Sequence, residues 1–212
     1  MKRKFYFALC FLAAFTLWTT ALCFVDVQPI GPRNSVVGLA TINRLFHNLT
    51  GVHMTLYNIT DWLGLVPVAF GFGFAICGLV QWIRRKNFLK VDTDILVLGG
   101  FYIVVLAAYL LFERFAVNYR PILINDFLEA SYPSSTTLLV LCVMPTAMIQ
   151  LQERIKLKSL CQCVLIAIAA FMGFMVIGRL VCGVHWITDI IGGILLSAGL
   201  VSLYTVVCDL AK

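Results

Sequence analysis

Six apolar runs, each close to the length that crosses a lipid bilayer, recur along the chain at 5–24, 63–83, 95–112, 136–150, 160–180 and 187–207. A hydrocarbon core takes roughly 20 residues of helix, and within it only helices and closed barrels satisfy their own backbone. The expected fold is therefore all-α: a polytopic membrane protein, six transmembrane helices in a bundle, one domain over 1–212. The fourth run is short, and its start is the least sharply marked. Composition agrees. With 61% hydrophobic and 12% charged residues, the chain has too little polar surface to cover a soluble globule.

Lys and Arg then set the expected orientation. An N-terminus in the cytoplasm puts Lys2, Arg3, Lys4, Arg84, Arg85, Lys86, Lys90, Arg154, Lys156, Lys158 and Lys212 on that side, eleven of sixteen cations. Arg33, Arg44, Arg114, Arg120 and Arg179 fall on the other. The net charge of +6 is thus mostly topology and makes no nucleic-acid footprint. The partner it implies is a lipid bilayer. The basic MKRK start suits a signal peptide, but the run after it is long and lacks a small-x-small cleavage site, so it reads as a helix. The eight cysteines include no CxxC and read as packed apolar residues.

Between the first two spans, 25–62 is too long for a simple connector. Leu39, Ile42, Phe46 and Leu49 recur at helical spacing, which predicts a helix over 36–49 lying in the outer interface. Polar residues gather in two further places that the topology brings to the same edge. One is 113–135, with Glu113, Arg114, Arg120, Asp126 and Glu129, ending in Pro133-Ser134-Ser135. Pro then Ser at a helix start is a capping signature, and the free N–H groups there suit an anion. The other is GRLVCGVHWITD, 178–189, with Arg179, His185 and Asp189.

Ionisable groups are costly near a bilayer and mark functional sites. If Trp186–Asp189 opens the last helix, the i,i+4 spacing lets the carboxylate hold the imidazole. That fixes the tautomer and makes the other ring nitrogen a base or nucleophile. Arginine forks suit phosphate. The plainer alternative is a snorkelling Arg, an interfacial His and a helix-capping Asp.

These segments, in this order, resemble the type 2 phosphatidic acid phosphatase superfamily, the integral-membrane relatives of the vanadium haloperoxidases. The family's K-x6-R-P, P-S-G-H and S-R-x5-H-x3-D read here as E-x6-R-P (Glu113 to Pro121), P-S-S-T (Pro133 to Thr136) and G-R-x5-H-x3-D (Gly178 to Asp189). The resemblance implies that His185 attacks phosphorus and forms a phosphohistidine, and that Asp189 orients it. It further implies that Arg120, Arg179, Ser134 and the backbone of Ser135 cradle the phosphate. The implied activity is a lipid phosphate or diphosphate phosphatase, of the undecaprenyl diphosphate, phosphatidylglycerophosphate or phosphatidate type. The expected place is the extracytoplasmic edge of a bacterial plasma membrane. No cofactor is expected, and no metal, since no metal-ligand spacing occurs.

Three departures from the family pattern matter. Glu113 replaces Lys and is expected to pair with Arg114 or Arg120, with Arg114 as a substitute cation. Gly178 replaces Ser. Thr136 replaces the His that serves the family as general acid, a contribution typically worth a factor of about 10² to 10⁴. Without that acid a good leaving group is favoured. A lipid alkoxide has a pKa near that of water, roughly 15, whereas a departing phosphate has a second pKa of about 6. A diphosphate therefore suits the site better than a monoester. His47 and His53 are the other histidines that could reach over from the first outer loop. Two further activities fit the same residues: phosphotransfer to a lipid or sugar hydroxyl, or a catalytically inactive relative that binds a phospholipid or partner.

Overall fold

The computed structural model describes residues 2–211; Met1 and Lys212, the latter counted above among the cytoplasmic cations, lie outside the described residues. The helices are α1 (Lys2–Phe24), α2 (Ala40–Thr50), α3 (Met54–Leu63), α4 (Leu65–Arg85), α5 (Thr93–Arg114), α6 (Ser135–Arg154), α7 (Lys158–Val181) and α8 (Ile187–Ala211). Among the described residues there is no β-sheet, only isolated antiparallel bridges. Six apolar helical stretches are long enough to cross a membrane: α1, α3 running into α4, α5, α6, α7 and α8. The protein is all-α and polytopic.

α6 and α8 form the centre of the bundle, with about half of their apolar windows buried (56% and 50%), against at most 22% for the others. α1 and α5 flank α8 through a cluster that includes Phe15, Leu22, Phe101, Leu138, Leu200 and Tyr204. A second cluster, Val140, Met144, Ile168 and Met175, joins α6 to α7. Leu17, Phe72, Ile103, Ile166 and Ile177 point outward, as lipid-facing residues do. Between helices in lipid the gain is close packing, since the tails are as apolar as the side chains.

The segment between α1 and α4 differs from the sequence expectation in two ways. Its first helix begins at Ala40, four residues later than the periodicity suggests. Gln28 and Val37 exchange backbone hydrogen bonds of 3.1 and 2.9 Å, which spends 36–39 on a hairpin before Leu39 turns at φ 49°. Buried Asn43 fastens α2 to the start of α8. Its amide donates to the Gly38 carbonyl (2.9 Å) and to Thr188 Oγ1 (3.0 Å). The second difference is α3, where the sequence reading has only connector. It continues into α4 through Gly64.

The far end of the bundle is fastened by polar pairs. Arg154 meets Asp94 at 2.7 Å, Lys4 meets Asp209 at 2.7 Å, and Gln150 donates to the Tyr204 hydroxyl at 2.8 Å. The exposed pairs there are worth at most about 1 kcal/mol each.

Candidate active site

The other end collects what three separate segments carry. The last turn of α7 carries Arg179, a cation where the macrodipole favours it. A five-residue turn leads to α8. There Asp189 reaches back to accept from the Trp186 backbone N–H at 2.9 Å, the return half of a capping box. The same oxygen lies 3.6 Å from His185 Nδ1. His185 thus precedes the helix instead of sitting on its face, and the helix-capping turn brings the pair together. One carboxylate oxygen thus caps the helix and faces the imidazole, at a distance beyond a direct hydrogen bond.

His185 and Asp189 are buried, 3% and 0% exposed. The Asn118 amide and Ser131 hydroxyl face the same carboxylate. On the other side of the ring, Arg120 Nη1 lies 3.4 Å from His185 Nε2. A guanidinium only donates. Nε2 is therefore the nitrogen with the lone pair, turned towards Arg120, and the proton belongs on Nδ1, on the Asp189 side. Burial, with Arg120 and Arg179 nearby, holds the imidazole pKa well below its usual 6.5. The ring is therefore held in its neutral form at neutral pH.

Both arginines are gripped on one side. Arg120 Nε is 2.9 Å from Glu129. Arg179, 2% exposed, uses Nη2 to donate to Asp61 (2.8 Å) and, through a short bond, to Thr136 Oγ1. Its Nε and Nη1 are buried with no partner. Both guanidinium groups lie over the Tyr57 ring, Arg179 at 4.9 Å and Arg120 at 5.9 Å, within cation–π range. Buried charged donors without partners cost several kcal/mol. An anion on Arg179 would remove that cost.

Other expected site residues are placed differently. Glu113 pairs with neither arginine: Glu129 holds Arg120, because the backbones of the two pair through Arg120 N–H to the Glu129 carbonyl at 3.0 Å. Arg114 is exposed and lies over the Phe115 ring at 5.8 Å, so it supplies no cation among these groups. Ser134 is fully buried as the N-cap of α6, its hydroxyl accepting from Thr137 Oγ1 at 3.1 Å. Half-buried Ser135 lines two cavities. The smaller, about 220 Å³, has Arg120, Glu113, Glu129 and Tyr109 in its wall. The larger, about 680 Å³, runs between α4, α5 and α6 and is mostly apolar, with Asp61, Ser135, Thr136 and two tyrosines, Tyr102 and Tyr109, as its polar lining. His53 bonds the Thr50 carbonyl at 2.9 Å, and His47 packs on the Trp186 ring at 5.5 Å. Neither contacts the arginines or His185. Among the described residues, no group of three or more His, Cys, Asp or Glu is arranged to hold a metal.

Sequence reasoning missed α3 and its two ligands of Arg179. Tyr57 and Asp61 stand four apart, the spacing that puts them on one helical face. The fit of α3 also explains one departure from the family pattern. A Cβ on Gly178 would stand 2.7 Å from Thr60 Cγ2. Gly183, at φ +71°, allows the same approach for the α2–α3 turn, where a Cβ would stand 1.8 Å from the Gly51 carbonyl oxygen.

A sequence model of the PAP2 superfamily matches residues 100–210, which include all three motif segments. The chain is also similar to the crystal structure of the first transmembrane PAP2 type phosphatidylglycerolphosphate phosphatase from Bacillus subtilis. The two share 18% identity and a TM-score of 0.59 over 98% of each chain, a likeness of fold. No curated protein sequence matches.

Proposed function

The chain belongs to the PAP2 superfamily, and from that premise we propose that it is a membrane phosphatase for a lipid phosphate or diphosphate, working through a phosphohistidine on His185. One observation carries the reading. A buried neutral imidazole presents its lone pair beside two guanidinium groups, one of which keeps two buried donors without a partner.

Arg120 and Arg179 would bind the oxygens of the phosphoryl group and draw charge from phosphorus as it grows. His185 Nε2 attacks, and the bond to the leaving group breaks. Asp189 stabilises the positive charge then appearing on the ring, since the Nδ1 proton already faces it. No step needs a metal, because the two arginines supply the positive charge.

The structure bears on the leaving group too. Thr136 has no proton to give in the working range, and its hydroxyl oxygen is occupied by Arg179. A leaving group that departs as a stable anion is favoured, which selects a diphosphate, such as a polyprenyl diphosphate, over a monoester. The apolar cavity of about 680 Å³ has room for part of a lipid chain beside Thr136. By the distribution of Lys and Arg, we read this end as facing away from the cytoplasm.

The test is phosphate release by purified protein in detergent on polyprenyl diphosphate, phosphatidylglycerophosphate and phosphatidate. We expect release, fastest from the diphosphate, and its loss in His185→Ala. Undiminished release by His185→Ala, or none on any substrate from folded wild-type protein, overturns the reading.

A further inference from the structure

We propose that Asp61, which lies in none of the three motif segments, is the general base of the second half of the reaction. The inference rests on the phosphohistidine reading and deepens it.

Two displacements follow one another at a single phosphorus, each with attacking and leaving atoms in line. The water that ends the reaction therefore attacks from the position that the lipid has just left. The large apolar cavity is where a lipid chain fits, and the polar side chains in its lining are Asp61, Ser135, Thr136, Tyr102 and Tyr109. Of these five only Asp61 is a base, since the four neutral hydroxyls accept a proton only at extreme acidity. Glu113 and Glu129 line the other cavity, beside Arg120.

The local geometry suits the role. Asp61 Oδ1 is 2.8 Å from Arg179 Nη2, the nitrogen that also donates to Thr136. Arg179 Nε and Nη1 stay free for phosphoryl oxygens. The carboxylate is thereby held one guanidinium edge from the phosphoryl group. Its side chain is 57% exposed, against 2% for Arg179, which leaves the carboxylate accessible at the edge of the bundle.

In the step itself, a water oxygen bonds to phosphorus and the P–Nε2 bond breaks, its electron pair returning to His185. The water proton passes to the Asp61 carboxylate, and inorganic phosphate leaves. A carboxylate accepts a proton here but has none to give in the first step, as expected of a site that uses good leaving groups.

The test follows the phosphoenzyme in purified full-length protein, using polyprenyl diphosphate labelled with ³²P in the terminal phosphate and rapid quenching in alkali, which spares phosphohistidine. Asp61→Asn keeps an acceptor oxygen for Arg179 but cannot take the proton. The expected result is a first turnover within a few-fold of wild type, then label building towards one phosphoryl group per chain. Steady release falls by about 10² to 10⁴, and added hydroxylamine, which needs no base, restores turnover. Slowed labelling without accumulation would instead make Asp61 a positioning residue for Arg179 and overturn the proposal. So would unchanged release.

If Asp61→Asn does not fold, Asp61→Glu carries the same test. A base displaced by one methylene should raise the label above wild type, and an unchanged level overturns the proposal. Wild-type label in the first turnover that Asp61→Asn does not increase removes this proposal alone. No label in wild type removes the phosphohistidine reading as well.

Discussion

His185 is useful because of what its two nitrogens face. Asp189 stands on the Nδ1 side and Arg120 on the Nε2 side. For the proposed nucleophile a lowered pKa has a definite sign: the neutral form persists as pH falls through 6.5, and is lost only below the usual histidine range. The acidic limb of kcat/KM, which reports the free enzyme, is expected below pH 6.5; a limb at or above that value would contradict the assignment. Arg179 has a second constraint: one fork holds Asp61 and Thr136 and, on the proposed function, would serve the phosphate as well. Lysine, a point charge on a flexible stem, cannot do so. With charged hydrogen bonds worth about 1.5–3 kcal/mol each, Arg179→Lys is expected to lower kcat/KM roughly 10- to 100-fold per bond lost, measured on the diphosphate. Thr136→His is expected to raise the rate on phosphatidate relative to the diphosphate; an unchanged ratio would show that proton supply does not set the preference.

At the scale of elements, α3 is the part of the site that the sequence hides. Arg179, His185 and Asp189 are legible because their spacing is local, and Arg120 because it stands beside Pro121 in a polar loop. Tyr57 and Asp61 act only through the packing of α3 on the end of α7, and nothing in a short amphipathic stretch after Gly51 announces that partner. Glu129 is visible in the sequence but not its hold on Arg120, which comes from backbone pairing across the 120–129 loop. The same packing gives Gly178 its reason. Restoring the family's serine there is expected to harm the protein, because its Cβ meets Thr60. Overpacking of this kind costs typically about 1–3 kcal/mol. Gly178→Ser should lower thermal stability and activity, and adding Thr60→Ser, which removes the obstructing methyl, should restore both. Full activity in Gly178→Ser alone would mean that α3 is not held where it is shown.

For the molecule as a whole, six apolar helical stretches leave one end for polar chemistry and the other for basic loops and ion pairs. The all-α bundle was readable from run length and composition, because lipid permits so few alternatives. Orientation is a separate prediction. With cysteine introduced at Ala116 in a cysteine-free background, an impermeant maleimide is expected to label intact cells, whereas Lys158→Cys should label only after permeabilisation. The reverse pattern would put the site on the cytoplasmic face. The bundle brings Arg120, Arg179 and Asp189 around one imidazole ring. The direct test is to quench wild-type protein in alkali during turnover of a lipid diphosphate, digest it, and locate the phosphoryl group by mass spectrometry and ³¹P NMR. Phosphate on Nε2 of His185 is the expected result; phosphate on Nδ1, on Ser134, Ser135 or Asp61, or on no residue of an enzyme that is turning over, would contradict it.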